Sequence, residues 1–398
     1  MGMKSKYDKL MRWAKIWVAQ FGAVKNRRCE QGSNAVLIIK LDAIGDFLIW
    51  LDSAKEFRKL YPDKRLVLLC NTLNVEIAEA TGYFDSIKSL NIKKFESDSS
   101  YRKSQLEKLS EEQYDLIIQT VYSRTIHMDI IAAAVPAYSK VGLQADESRS
   151  DLSRYITFKA NRKKFDRVYD TLYPVSTDWL MEVKRNGELI RALGYTDFQT
   201  GIPFFNETDA KEKIPEGDYY VLFPGSSSVK KMWNTERFAG VADYIYKKTG
   251  WVGYVCGGMD EKHLYADLMA AKQPETKVVD YFGRTTLLEL AEVIRHAKLV
   301  VSNDTSGIHF AAVTDTPAVC ISGEYHFGRF LPYDCDKEFN DSHSPMYICH
   351  ADMPCKRCVN GKITKECSSC VDRTGRYLCI DKITVEQVNA MIDKILKN

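Results

Sequence analysis

The sequence predicts an α/β protein built from two Rossmann-like, doubly wound domains. Strand-length apolar runs alternate with amphipathic helical patterns, which is typical of βαβ units around a parallel sheet. The alternation starts near residue 35 and again near residue 219, on either side of a polar, proline-containing stretch. With 398 residues, 45% hydrophobic and 27% charged, the chain is long enough and apolar enough for two cores.

Charge and cysteine usage exclude several broad classes of protein. The net charge of +3 gives no overall basic character, so we expect no nucleic-acid partner. No uncharged apolar run reaches the roughly 18 residues that span a bilayer. Of the eleven cysteines, Cys70, Cys256 and Cys320 lie in or beside apolar runs, as reduced core thiols do. The start lacks the apolar core of a secretion signal, which favours a cytoplasmic protein.

Residues 1–30 are predicted to form a basic amphipathic helix. Residues 4–28 carry eight basic side chains against one acidic side chain, a local charge of +7. Such a helix suits an anionic membrane surface, but its apolar stripe could equally dock on the protein itself. The stripe repeats at spacings of three and four and consists of Leu10, Trp13, Ala14, Trp17 and Phe21.

The first domain is predicted over residues 31–200. Residues 144–170 are polar, irregular and basic, which indicates a mobile loop within it. The predicted strands are 35–41, 65–70 and 114–120, and the predicted helices are 46–61, 126–135 and 178–193.

The second domain is predicted over residues 218–348, after a linker over 201–217 that contains two prolines and has no apolar period. It repeats the alternation of the first domain. The predicted strands are 219–223, 252–256, 298–302 and 318–322, and the predicted helices are 235–248, 261–271 and 286–297.

Small and polar residues follow the predicted strands at their carboxyl ends, where doubly wound sheets bind ligands. After the first strand, Gly45 permits a tight turn and Asp46 lies near a helix N-terminus. Asp46 is either a helix cap or a general base, and its position alone does not decide between them.

Four further loops occupy equivalent strand ends in the second half. Pro224–Ser228, followed by Lys230 and Lys231, has the backbone N–H groups and cations of an anion site, although a plain flexible loop is also possible. It lacks the glycine-lysine spacing of a nucleotide-hydrolysing P-loop. Residues 302–309 run from a buried strand into a helix whose N-terminus favours a phosphate. Gly257, Gly258 and Gly323 follow other strands.

In their order, these motifs resemble glycosyltransferase family 9, the heptosyltransferases of lipopolysaccharide core assembly. The resemblance runs from about residue 35 to residue 335. It implies a GT-B fold, in which an N-terminal acceptor domain and a C-terminal nucleotide-sugar domain face a central cleft. Its motifs are Asp-Ala-Ile-Gly-Asp at 42–46, Pro-Gly-Ser-Ser with Lys-x-Trp at 224–233, Gly-Gly with an acid at 257–261, and Ser-Asn-Asp-Thr with a histidine at 302–309.

The resemblance also implies roles for individual residues. Asp46, beside Gly45 in the acceptor site, is implied as the base that deprotonates the acceptor hydroxyl, and Lys231 as the cation that neutralises the leaving diphosphate. Trp233 is interpreted as core packing. The family's glycine usually stands two residues after its aspartate, where this chain has a serine followed by glycine. The implied donor-binding residues are Gly225, Ser226, Ser227, Lys230, Gly257, Gly258, Asp304, Thr305, Ser306, Gly307, His309 and Gly323.

The implied reaction is a single in-line displacement with inversion, and it requires no metal cofactor. The implied donor is ADP-heptose, and the implied acceptor is an anionic, lipid-linked glycan at the inner face of the cytoplasmic membrane. Arg162, Lys163 and Lys164 either recognise that acceptor or form a solvated loop. The only Asp-x-Asp triplet, at 334–336, is interpreted as chance. A GT-B nucleotide-sugar epimerase and a zinc-dependent binding module remain as alternatives.

Residues 349–380 are rich in cysteine, and a helix is predicted within 381–398. Two Cys-x-x-Cys pairs stand eight residues apart, and four thiolates could close a structural zinc site. Free thiols and disulfides are the other possibilities. The four candidate zinc ligands are Cys355, Cys358, Cys367 and Cys370.

Overall fold

A computed structural model of the protein describes residues 26–144, 165–324, 327–337, 343–351, 353, 370 and 375–397. Most of the predicted N-terminal helix therefore lies outside the described residues. The same holds for Arg162, Lys163 and Lys164, and for Cys355, Cys358 and Cys367.

Contacts divide the chain into two compact units. The first contains the described residues up to 47 together with 53–177 and 185–198, and the second contains 48–52, 178–184 and the described residues from 199 onwards. The predicted linker associates with the second unit, since Phe205 N donates to Val313 O over 2.8 Å and Thr208 N to Glu292 Oε1 over 2.9 Å.

The first unit contains a six-stranded parallel sheet in the order β3-β2-β1-β4-β5-β6. The central strand β1 is buried along its whole length, as a strand covered by helices on both faces must be. The strands are β1 (Ala35–Lys40), β2 (Arg65–Asn71), β3 (Ser86–Leu90), β4 (Tyr114–Gln119), β5 (Ala137–Leu143) and β6 (Thr171–Tyr173). The helices before residue 200 are α1 (Ile44–Ala54), α2 (Phe57–Leu60), α3 (Val75–Thr81), α4 (Ile92–Ser97), α5 (Ser99–Leu109), α6 (Ile126–Ala134) and α7 (Glu182–Ala192).

Two predictions for this half of the chain are wrong in detail. The single helix predicted over 46–61 is two helices, α1 and α2, because the chain turns where Glu56 N donates to Ser53 O. The described end of the predicted mobile loop is packed, since Val168 and Tyr169 are buried and the Tyr169 hydroxyl donates to Asp129 Oδ1 over 2.7 Å.

The second unit contains another six-stranded parallel sheet, in the order β12-β11-β10-β7-β8-β9. Cys349, which the sequence places in the Cys-rich segment, is buried in β12. The strands are β7 (Tyr219–Phe223), β8 (Val252–Val255), β9 (Val278–Asp280), β10 (Leu299–Asn303), β11 (Ala318–Ile321) and β12 (Met346–Cys349). The helices are α8 (Thr235–Thr249), α9 (His263–Ala271), α10 (Leu287–Arg295), α11 (Ser306–Val313), α12 (Leu378–Asp381) and α13 (Val385–Leu396).

The core of the second unit continues into the C-terminal helices. α13 begins with a capping box between Thr384 and Gln387 and buries Val388 and Ile392 in the cluster that contains Trp233. Trp233 is fully buried, so its interpretation as a core residue is confirmed. Across the described ranges, no helix is both long and apolar enough to cross a membrane.

The interpretation of three cysteines as core thiols is also confirmed. Cys70, Cys256 and Cys320 are buried and form no disulfide. Burial raises the pKa of the Cys70 thiol to about 12, which keeps it protonated and unreactive at neutral pH.

Candidate functional site

The strands of the two sheets are arranged in the same way relative to their order along the chain. In each sheet, the direction in which successive strands are added reverses between the first and the fourth strand of the unit. Ligands of doubly wound sheets bind outside the carboxyl ends of the strands at this switch point. In the second unit the switch lies between β7 and β10, and the loops that follow these strands contain Gly225 and Asp304. In the first unit it lies between β1 and β4, and β1 leads through a short loop to Asp46.

Lys231 and Asp304 meet at the switch point of the second unit. Lys231 Nζ lies 3.1 Å from Asp304 Oδ2, with side chains 18% and 8% exposed. This is a mostly buried pair on two separate loops, so each loop fixes the other. The ammonium group keeps some access to solvent and can meet an anionic ligand.

Asn303, the last residue of β10, connects three parts of this site. Its Nδ2 donates to Pro224 O over 2.7 Å and to Gly225 O over 3.3 Å, and its Oδ1 accepts from Trp233 N over 3.1 Å. Asn303 is fully buried, so these bonds fix the loop after β7 from within. No role was predicted for Asn303 from the sequence, although it directly precedes the predicted Asp304.

A partly buried carboxylate, that of Glu261, lies against the loops that follow β7 and β8. A Cβ atom at Gly225 would lie 2.3 Å from Glu261 Oε1, so a larger residue there would have to displace the Glu261 carboxylate. Gly258 N donates to Glu261 Oε2 over 3.1 Å, and at Gly257 the Phe282 ring would meet a Cβ at 2.5 Å. Burial raises the pKa of Glu261 above its ordinary range. Sequence reasoning gave Glu261 no role, although an acid after Gly-Gly was a visible signal.

The first turn of α11 packs directly against the end of β7. Ser306 and Gly307 open the helix, and a Cβ at Gly307 would lie 2.4 Å from the Phe223 ring. The glycine therefore allows the helix N-terminus to approach β7 closely. Thr305 precedes the helix, and its Oγ1 is 3.3 Å from Ser302 Oγ. Gly323 follows β11 and contacts the C-terminal region instead, where a Cβ would lie 2.7 Å from Cys379 Sγ.

His309 lies within α11 and is 4% exposed. Its Nδ1 is 3.0 Å from the hydroxyl of Tyr333, a residue that sequence reasoning did not single out. Burial lowers the pKa of His309 to about 4, so the imidazole is neutral at physiological pH. A neutral imidazole offers the site one N–H donor and no charge.

This shift predicts a loss of stability in acid. His309 titrates at about 4 in the folded protein and at its ordinary 6.5 when unfolded, so the unfolded chain binds more protons between these values. The free energy of unfolding should fall by roughly 3 kcal/mol as the pH drops from about 6.5 to 4. We expect urea denaturation of His309→Asn to show a shallower pH dependence than wild type over this window. Equal slopes would contradict the assignment.

The two neighbouring lysines have different partners. Lys231 pairs with Asp304, whereas Lys230 Nζ lies 5.5 Å from the ring centroid of Tyr377. Ser226 and Ser227 lie between β7 and the 3-10 turn Val229–Lys231 that carries both lysines. The structure thus assembles most of the predicted donor residues around the ends of β7, β8 and β10, with the side chain of Lys230 held on the C-terminal region.

In the first unit, Asp46 is the third residue of α1 and is partly exposed. It follows the helix start rather than preceding it, with Gly45 beside it in the same turn. The preceding loop is held at Asp42, whose Oδ2 lies 2.7 Å from the Nζ of buried Lys40 and whose carbonyl accepts from Asn74 Nδ2 over 3.1 Å.

The structure describes one of the four predicted zinc ligands and both carboxylates of the Asp-x-Asp triplet. Cys370 is the one candidate zinc ligand described, and its carbonyl accepts from Leu378 N over 3.2 Å. Among the residues with a described placement, no group of three His, Cys, Asp or Glu side chains could hold a metal ion. Asp336 Oδ2 accepts from Thr200 N and Oγ1 over 3.0 and 2.9 Å, and Asp334 pairs with Lys184, so both carboxylates of the triplet have partners within the protein.

Two six-stranded parallel sheets, with cation-bearing loops at the switch point of the second, are typical of α/β proteins that bind nucleotides. The sequence profile of "Glycosyltransferase family 9 (heptosyltransferase)" matches residues 102–357. This chain belongs to that family, and it is therefore a glycosyltransferase. The predicted GT-B class and the predicted enzyme class are both confirmed.

Named relatives agree with this assignment. The chain is 22% identical over 289 residues to "Lipopolysaccharide heptosyltransferase 3" of Escherichia coli K12, which covers 70% of this chain and 79% of that protein. A family 9 glycosyltransferase of Veillonella parvula has a TM-score of 0.68 at 18% identity, and the superposition covers 93% of this chain and 99% of that chain.

Two further solved structures share the fold. E. coli heptosyltransferase WaaC with ADP-2-deoxy-2-fluoro heptose has a TM-score of 0.62 at 18% identity and covers 90% of this chain and 99% of its own. The iron-containing dodecameric glycosyltransferase TibC of enterotoxigenic E. coli has a TM-score of 0.52 at 17% identity, covering 94% of this chain and 77% of its own. At these identities the likeness concerns the fold alone.

Proposed function

We propose that this enzyme transfers a heptose from ADP-heptose to a lipopolysaccharide-core or related lipid-linked glycan, with inversion at the anomeric carbon. The observation that carries the proposal is the Lys231–Asp304 pair at the switch point of a family 9 glycosyltransferase. ADP-heptose is favoured because a solved relative holds an ADP-heptose analogue and a curated relative is named as a lipopolysaccharide heptosyltransferase.

The second unit binds the donor in this proposal. The diphosphate lies against the backbone N–H groups after β7 and the N-terminus of α11, whose partial positive charge favours anions. Lys231 stabilises the negative charge that develops on the leaving diphosphate. Asp304 holds the ammonium in place and accepts a hydrogen bond from a donor hydroxyl.

The first unit supplies the base. Asp46 takes the proton of the acceptor hydroxyl as that oxygen attacks the anomeric carbon, and the bond from this carbon to the diphosphate oxygen breaks in the same displacement. The products are the extended glycan and a nucleoside diphosphate. No metal takes part in this scheme, because Lys231 and the backbone N–H groups provide the positive charge.

The acceptor and the membrane are proposed partners on sequence grounds. An anionic lipid-linked glycan lies at the inner face of the cytoplasmic membrane, and a basic helix over residues 1–30 would bring the enzyme to that surface. Arg162, Lys163 and Lys164 supply positive charge for the anionic groups of the acceptor.

The two Cys-x-x-Cys pairs are proposed to hold a structural metal ion. Their four thiolates suit a closed tetrahedral site for zinc, and thiolate sets also bind iron, which the relative TibC contains. Such a site leaves no open position for chemistry. Elemental analysis of the purified protein for both metals distinguishes this proposal from free thiols.

Thermal stabilisation by nucleotides tests the proposed donor. A ligand at 100 times its dissociation constant adds about 2.7 kcal/mol to the free energy of unfolding. We expect ADP and ADP-heptose to stabilise the enzyme more than UDP, GDP and their sugars. A preference for UDP or GDP would refute ADP-heptose, and no response to any of them would refute a nucleotide-sugar donor. Product analysis without acceptor separates transfer from epimerisation.

A further inference from the structure

Residues 375–383, here called the C-terminal strap, pack against the turn that carries the two lysines. Tyr377 N donates to Lys230 O over 3.1 Å, and the Tyr377 ring lies under Lys230 Nζ at 5.5 Å. At its start, Gly375 has a left-handed φ of +89°, and a Cβ there would lie 3.3 Å from Val229 Cγ1. The strap thus contacts two successive residues of the turn, Val229 and Lys230.

The strap has its own attachment to the core of the second unit. Tyr377 is 5% exposed and lies in the same apolar cluster as Trp233 and Ile383. Trp233 Nε1 donates to Ile383 O over 2.9 Å, and Arg237 Nη1 donates to the same carbonyl over 2.7 Å. Because these contacts do not involve the turn, the strap can support the turn as a fixed element.

The turn itself has little burial of its own. Val229–Lys231 is a single 3-10 turn with no buried residue, and Val229 is 50% exposed. One short turn of this kind is weakly stable alone. Its position therefore depends on neighbouring residues. Asn303 fixes the chain just after the turn through its bond with Trp233 N, and Tyr377 fixes the middle of the turn through its bond with Lys230 O.

We propose that Tyr377 is a positioning residue of the donor site, through which the strap holds Lys231 where it meets both Asp304 and the donor diphosphate. This inference rests on the proposed nucleoside-diphosphate donor. Since Lys231 acts on the phosphates, loss of the strap contact should weaken the binding of each ligand in proportion to its phosphate charge. The affinity for ADP should therefore fall more than the affinity for AMP.

The test compares ADP and AMP affinities by calorimetry in the full-length enzyme. Tyr377→Ala should weaken ADP binding at least tenfold and reduce the discrimination between ADP and AMP. Tyr377→Phe keeps the ring and should retain both the wild-type ADP affinity and the wild-type discrimination. Gly375→Ala strains the strap where it meets Val229 and should act in the same direction, which provides a second variant if Tyr377→Ala does not fold. Val388→Ala, buried in α13 away from the turn, controls for general destabilisation.

The outcomes separate the inference from the proposed function. Suppose that wild type binds ADP and that Lys231→Met binds it more weakly. If Tyr377→Ala and Gly375→Ala then bind ADP with the wild-type affinity, the positioning role is wrong. Equal losses of ADP and AMP affinity would also overturn it, because a merely structural role has that effect. If wild type binds no nucleoside diphosphate, the proposed donor fails and the inference fails with it.

Discussion

Replacing Asp46 with asparagine is expected to lower kcat about 100-fold or more while leaving the KM for the nucleotide sugar nearly unchanged. Asparagine keeps the size of the side chain but cannot accept the proton of the acceptor hydroxyl, and a positioned general base contributes factors of this order. Because Asp46 lies in the first turn of α1, the change leaves the sheet and its core intact. Steady-state kinetics with saturating acceptor measures the effect.

Asp42→Asn is the matched control. Asp42 lies in the loop that precedes α1 and pairs with buried Lys40, so its loss should disturb that loop without removing the base. We expect a smaller fall in kcat than for Asp46→Asn. Wild-type transfer by Asp46→Asn would end the base assignment.

Replacing Lys231 with methionine is expected to lower kcat/KM about 100-fold or more, with both kcat and donor affinity reduced. One positioned donor to a developing oxyanion is worth roughly 100- to 1,000-fold in rate. Methionine keeps the length of the stem and removes only the ammonium. The variant should also be less stable, because Asp304 becomes a mostly buried carboxylate without its cation.

A second substitution separates these two effects. Lys231→Met combined with Asp304→Asn removes the unpaired carboxylate, so stability should recover while transfer stays low. Lys248→Met, which removes an exposed cation paired with Asp393, controls for the loss of one positive charge and should retain activity. Recovery of full activity in the double variant would mean that Lys231 acts only as the partner of Asp304.

The central strands could be predicted from the sequence because both of their faces are buried. β1 is apolar from Ala35 to Ile39 and β7 is apolar throughout, whereas edge strands such as β3 and β9 are short or half exposed and give no such run. β5 was missed for a different reason: it contains the buried Lys140, whose Nζ donates to the carbonyls of Ala132 and Ala133 at the end of α6. No local pattern shows that partner.

The site was predictable to the extent that its residues follow strands. Asp304 and the turn with Lys231 come after β10 and β7, and neighbouring parallel strands deliver their carboxyl ends to one edge. Tyr333 and Tyr377 were missed because each reaches the site through a contact distant in sequence, His309 with Tyr333 and Lys230 with Tyr377. Such partners follow from tertiary packing, which periodicity does not encode.

Calorimetric titration of ADP into wild type and Lys231→Met tests whether the turn containing Lys231 binds the diphosphate of a nucleotide sugar. We expect one saturable site in wild type and at least tenfold weaker binding in the variant, a difference of about 1.4 kcal/mol. Equal affinity in the two proteins, or no binding of ADP to wild type, would contradict the claim.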